Sequence, residues 1–182
     1  MASLEQLDPA ALQALLHEGK LAGAWALDPA RSEVLLESRH TWGLLPVHGV
    51  FREVAGHGTV TAAGDVSGVI TVAAASVDTK DARRDKHLRS ADFFDADHHP
   101  DITFSADGAT PAGDGVRVAG NLTVAGRTRP VALDARVSSG DGELRLDGEL
   151  RVNRADFGLT WNFIGIAAMD NTLVVRALFT RQ

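Results

Sequence analysis

From Trp25 onward, apolar and polar residues alternate with a period of two over several segments, the mark of strands with one face buried and one face wet. The clearest runs from Glu143 to Val152. There Leu144, Leu146, Leu150 and Val152 share a face with Gly148, while Glu143, Arg145, Asp147, Glu149 and Arg151 share the other. Val116, Val118, Leu122 and Val124 repeat the pattern around Gly120; Val131, Leu133, Ala135 and Val137 do so against Asp134 and Arg136. Near the C-terminus Leu173, Val175, Ala177 and Phe179 oppose Arg176 and Thr180. Turn signals separate the runs: Ala55-Gly56, Gly64-Asp65, Pro111 to Gly115, Gly126-Arg127, and Ser138 to Gly142 with its Asp-Gly pair. Such short returns imply antiparallel pairing. The spacing predicts an all-β fold of about eight to ten strands, in which closure into a barrel removes exposed edges; a sandwich shares the same pattern.

Two stretches break the alternation. Asp8 followed by Pro9 has the form of a helix N-cap with proline at the first helical position, and Leu12, Leu15 and Leu16 form a stripe that stops at Gly19. This predicts a short amphipathic helix, acting as a lid, as a partner surface or, in the ordinary case, packed on the outside of the domain. Thr79 to Asp101 has no period of two and is dense in charge, which predicts a helix or ordered loop inserted around 79–101. Ser90 or Asp92 would cap a turn holding Phe93 and Phe94, and Pro100 ends it by disfavouring helix at His99. The chain therefore divides into an N-terminal helical extension, residues 1–23, and a β-barrel domain, residues 24–182.

An eight-stranded barrel is either filled by its own side chains or, when these are short, holds one small ligand. The face assigned inward is mainly Val, Leu and Ala with Gly49, Gly68, Gly120 and Gly148, and the chain has no Tyr, so interior room is expected. The competing role for those glycines is relief of bends at barrel corners. Space lined in this way stays dry, and hydrocarbon is its natural guest. Each buried methylene contributes about 0.8 kcal/mol, so a chain of ten or more carbons is captured by burial without chemistry. His40 follows Val34, Leu36 and Ser38 in phase; its ring is expected to point inward, toward a ligand head group or a buried carbonyl. Trp42, Trp161 and Phe163 read as rim or pocket residues or as ordinary core, the last two in phase with Phe157 and Leu159.

Composition narrows the function classes. A net charge of -6, a pI of about 5.6 and the lack of a Lys/Arg stripe argue against nucleic acid and anionic membrane surfaces as partners. With no cysteine there is no disulfide, thiolate nucleophile or Cys-based metal site. The first twenty residues carry acids where a signal peptide needs positive charge, and no stretch approaches a membrane span. A cytoplasmic location is expected, or a periplasmic or secreted one if a leader precedes this sequence. His87, His98 and His99 lie near Asp92, Asp95, Asp97 and Asp101, but their spacing fits no metal motif, so no metal is expected. No Gly-x-Ser-x-Gly elbow is present, and Ser76 has no linked base. Arg83-Arg84 beside Asp85 reads either as a bidentate phosphate grip or as a salt bridge within the loop. An enzyme acting on a lipid head group or small molecule would use His40 with Arg84 or Asp85; a non-enzymatic binder needs neither pair.

Five segments resemble the YceI-like, polyisoprenoid-binding lipocalin-like proteins: WALDPARSEVLLESRH at Trp25 to His40, VHGVFREVAG at Val47 to Gly56, SVDTKDARRDKHLRSADFFDADHHPDITF at Ser76 to Phe104, GNLTVAGRTRPVAL at Gly120 to Leu133, and RADFGL at Arg154 to Leu159. The resemblance implies an extended lipocalin-like antiparallel barrel with a helix beside it, a tunnel that takes an isoprenoid chain, and no enzymatic activity established for the class. Carried over position by position, His40, Phe51, Arg84, Asp85, His87, Leu88, Phe93, Phe94, Pro100 and Phe104 match recurrent residues of the family, many of which hold the fold. The chain departs in having a helix before Trp25 and in placing the bulky Trp42 near the implied entrance. The resulting ligand-binding candidates are His40, Trp42, Val47, Phe51, Arg84, Phe94, Phe104, Leu122, Leu146, Trp161 and Phe163. The ligand expected is an isoprenoid, with a fatty-acid-like or quinone molecule second. No cofactor, nucleic acid or stable membrane insertion is expected, and a homodimer is allowed.

Overall fold

In chain order the elements are β1 (Glu5–Leu7), α1 (Pro9–His17), β2 (Gly23–Leu27), β3 (Glu33–His40), β4 (Leu45–Phe51), β5 (Val54–Val60), β6 (Val66–Ala73), β7 (Val77–Asp78), α2 (Ala82–Arg89), β8 (Asp101–Ala112), β9 (Gly115–Val124), β10 (Arg127–Gly140), β11 (Glu143–Asn153) and β12 (Asp170–Arg181). They come from a computed structural model that describes residues 4–40, 45–162 and 167–182, with His40 described by its backbone alone. Pairing runs β10, β9, β8, β6, β5, β2, β12, β11 and back to β10, every pair antiparallel, so eight strands close into a barrel. Closure satisfies the edge groups that an open sheet would leave exposed.

The alternation seen in the sequence sets the register. Leu144, Leu146 and Leu150 of β11 stand opposite Phe179, Ala177 and Leu173 of β12, so both apolar sets meet inside. On the wet side the charges pair across strands, as with Arg117 and Asp134 at 2.7 Å. The hairpins turn through pairs with positive φ: Asp141 and Gly142 at 45° and 78°, and Ala125 and Gly126 at 48° and 73°, one residue earlier than the Gly126-Arg127 turn read from the sequence. β1 and β7 have three and two residues, too few for a periodic signal, which is why twelve strands stand where eight to ten were expected.

Outside the ring, β12 divides its pairing. Phe179 to Arg181 bond β2, whereas Thr172 to Arg176 bond β3, from which β4 and then β7 extend the sheet. α1 begins at its expected cap, where Asp8 accepts from the N–H of Ala11 at 2.7 Å. It packs on the barrel: β1 pairs with the end of β10, and Leu12 is buried in the same core as Trp25 and Val118. Burying a leucine of this kind contributes about 2 kcal/mol, enough to tie the helix to the barrel.

Candidate ligand-binding cavity

The register stacks inward residues in layers. Ser38 stands opposite Val47 and Asn171 opposite Val152; next come Leu36, Leu150 and Leu173; then Val34 opposite Phe51, with Val175 alongside. These layers surround a cavity of about 730 Å³, within the range of small-molecule sites. Ile70, Phe104 and Leu133 border it and also border a second apolar space of about 150 Å³, which Leu12, Leu16, Trp25 and Phe179 help to enclose.

The room does not come from the inward glycines. A Cβ on Gly120 would overlap the Ser105 carbonyl oxygen and lie 3.0 Å from the Phe104 ring, and one on Gly148 would lie 2.8 Å from both Ala135 Cβ and the Asp134 carbonyl. Gly68 and Gly49 are equally close, to His57 O at 2.8 Å and Thr79 Cγ2 at 3.0 Å. Gly68, Gly120 and Gly148 are glycine because backbones approach closely there, whereas at Gly49 the near atom belongs to the Thr79 side chain. The space has a different origin. Among the described residues β4 pairs with β7 only through Val50 and Phe51, and α2 with the Phe93-Phe94 turn closes that flank, Phe94 lying 5.9 Å from Phe51.

α2 is held by a small polar network. Asp81 caps it, accepting the N–H groups of Arg83 and Arg84 at 3.0 Å, and those bonds hold its carboxyl below the usual aspartate value. Buried Asp85 accepts from the N–H and hydroxyl of Thr79 at 2.9 and 2.6 Å, and Arg84 donates to the Thr79 hydroxyl and carbonyl at 2.8 and 2.9 Å. Arg84 and Asp85 thus both anchor Thr79; neither salt-bridges the other. His87 bonds Asp92 at 3.1 Å and meets the Trp161 ring edge-on at 4.2 Å; His98 bonds Asp95 at 2.8 Å. The three histidines do not converge on one point, and no metal-like cluster occurs among the described residues.

Arg154 is the group that residue reading missed. Only 7% exposed, it donates to the carbonyls of Leu159, Trp161 and Ala168 at 2.6, 2.8 and 3.0 Å and lies over Phe93 at 5.4 Å. Burial pulls its guanidinium below the ordinary arginine value. The signal was present, since Arg154 continues the inward parity of Leu150 and Val152. Of the sequence candidates, Val47, Phe51, Arg84, Phe94, Phe104, Leu122 and Trp161 border the large cavity, while Leu146 borders the small one. Trp42 and Phe163 lie outside the described residues, as does the side chain of His40.

One ion-pair cluster secures the start of this insertion. Asp78 accepts from Arg52 at 2.8 Å and from Lys80 at 3.0 Å, which holds its carboxyl well below the usual 3.8. A carboxyl depressed in the folded state adds stability above its unfolded value and loses it as pH falls toward the folded one. The melting temperature of wild type should therefore exceed that of Asp78→Asn by a constant amount above the usual 3.8 and converge with it as acid is added. A gap that stays constant to about pH 2 would show that Asp78 acts through shape alone.

A closed antiparallel barrel around a large apolar cavity defines the class by fold, an extended lipocalin-like β-barrel. The family model for the YceI-like domain matches residues 25–179, and the chain belongs to that family. It is 39% identical over 119 residues to a UPF0312 protein of Pectobacterium atrosepticum, covering 62% of each, and 34% identical over 112 residues to protein YceI of Salmonella arizonae, covering 58% of each. The chain thus spans 62% or less of the length of these two relatives. Among solved structures, Burkholderia cenocepacia BcnA superposes with a TM-score of 0.76 at 25% identity, over 84% of this chain and 98% of that one. A polyisoprenoid binding domain from Saccharophagus degradans shares the fold, with a TM-score of 0.70 at 14% identity over 87% and 98%. A Campylobacter jejuni YceI protein superposes at 0.61 with 26% identity, over 75% and 85%.

Proposed function

We propose that this protein holds one long apolar molecule, an isoprenoid or related lipid, inside its barrel, as a carrier or store and without catalysis. The cavity of about 730 Å³, walled by Val34, Leu36, Ile102, Leu122, Leu150 and Leu173, carries the reading. At about 0.8 kcal/mol per methylene, a tail of twenty carbons offers about 16 kcal/mol of burial, which covers association costs of roughly 4–15 kcal/mol. The polyisoprenoid named for the Saccharophagus degradans domain supports the ligand class, with fatty-acid-like and quinone molecules next. Asp85 and Arg84 anchor Thr79, which speaks for a structural rather than a catalytic use of that pair.

Native mass spectrometry of the purified full chain, before and after exposure to a long polyprenol and to a fatty acid, tests the reading. A stoichiometric hydrophobic adduct is expected. Protein that arrives empty and takes up neither probe would end it.

A further inference from the structure

Resting on the reading of the barrel as a lipid-holding site, we infer that the protein selects its ligand by tail length, and that α1, lying across the far end of the barrel, is the stop against which the tail ends. The large and small spaces are levels of one interior. On β9, Leu122 and Val124 border the large cavity, while Val116 and Val118 border the small one. On β11, Leu150 and Val152 border the first, Leu144 and Leu146 the second. Along each strand these residues keep one parity, so a single inner face runs from one level to the next.

Between the levels stands a partition made of side chains. Ile70 and Phe104 are direct partners on β6 and β8, and with Leu133 they border both spaces. The Phe104 ring lies over Gly120, where an added Cβ would stand 3.0 Å from it. Empty space on both sides of the ring lets a rotamer change carry it out of a tail's path, which backbone across the lumen would not allow.

Beyond the partition the interior is apolar, and then it ends. Leu12 and Leu16 of α1, with Leu21 and Trp25, close the small space of about 150 Å³. Of its lining residues only His57 and Arg145 can carry charge, and both belong to the wet face: His57 is exposed, and Arg145 bonds Asp147 at 2.8 Å. A dry space of this kind leaves a polar group unsatisfied and suits the end of a hydrocarbon tail. The floor is tied down on opposite sides of the ring. Before α1, β1 pairs with β10; at the end of α1, Leu16 packs on the turn between β5 and β6, where a Cβ on Gly64 would lie 3.3 Å from Leu16 Cβ. In the ring order β5 stands diametrically opposite β10, so the segment bridges the whole barrel end. Trp25 Nε1 donates to the Leu21 carbonyl at 3.0 Å and Arg181 to the Ala22 carbonyl at 3.2 Å, which fixes the return into β2. The family model matches from residue 25, so this floor lies outside the matched span.

Full-length protein should be titrated with the all-trans prenols farnesol, geranylgeraniol, hexaprenol and octaprenol. Affinity should climb with tail length and then level off, because burial grows with every methylene until the tail meets α1. Leu16→Trp, which fills the small space, should lower the ratio of octaprenol to farnesol affinity about tenfold, and Leu16→Ala, which deepens it, should raise that ratio about threefold. Thermal melts confirm that both variants fold. Unaltered protein gives a direct readout: the shortest prenol on the plateau, carrying a diazirine at its tail end, should crosslink on irradiation to Leu12, Leu16, Leu21 or Trp25, as located by peptide mass spectrometry. Affinity that rises through the whole series without levelling, a ratio that neither folded variant changes, or crosslinks confined to the large cavity would overturn the tail-length inference and leave the lipid site standing. Uptake of none of the prenols would remove the lipid-holding reading and this one with it.

Discussion

Gly120→Ala is expected to destabilise the protein by about 3 kcal/mol or more, lowering the melting temperature by roughly 6–12 °C. Gly120 sits on β9 opposite Ala106 of β8, beside the register shift between Ala106 and Gly108. The strands approach so closely there that an added Cβ overlaps the Ser105 carbonyl oxygen and lies 3.0 Å from both Ala106 Cα and Phe104 Cε2. Two of those neighbours are backbone, so relief requires moving a strand held on both sides, not rotating a side chain. Gly108→Ala is the matched control: nothing lies within 4 Å of the point where its methyl group would stand, so its change should stay within about 1 kcal/mol. Thermal denaturation of the two variants side by side decides the point. A Gly120→Ala melt equal to that of Gly108→Ala would mean that the inner face has slack at this position after all.

Leu173→Trp should abolish ligand uptake, by tenfold or more, with a stability change under about 1.5 kcal/mol. Leu173 lies midway along the wall, opposite Leu36 on one side and Leu150 on the other, and it borders the cavity as well as packing against the core. An indole at that level takes volume a lipid tail needs. Uptake measured with a polyprenol probe, alongside a melt, separates the outcomes: lost binding with a retained melt places the tail in the large cavity, whereas unchanged binding places it elsewhere. The glycine and leucine positions thus test two different statements, one about how closely the strands approach and one about where they leave room.

Much of the fold was legible along the chain because a half-buried strand writes its orientation into every second residue. β9, β10, β11 and β12 could be read with their inner faces, and Asp8-Pro9 with the leucine stripe announced α1. β1 and β7 could not, since two or three residues carry no period. Candidate site residues on the regular strands, such as Val47, Phe51, Phe104 and Leu122, follow from parity plus family resemblance and border the large cavity. Leu146 shares that parity but lies further along the barrel, at the smaller space, because parity specifies the face and says nothing of depth.

By itself the sequence determined antiparallel strands with one apolar face each, because periodicity, turn chemistry and composition are local properties that each segment carries alone; the choice of barrel over sandwich came from the family resemblance. Tertiary structure decided the rest: that inward Gly68, Gly120 and Gly148 mark close strand approaches, that α1 joins the core, that α2 forms a wall, and that three arginines from two separate parts of the chain border one cavity. These depend on which strands become neighbours and at what level. Such long-range pairing is set by the closure of the whole ring, and no single segment specifies it.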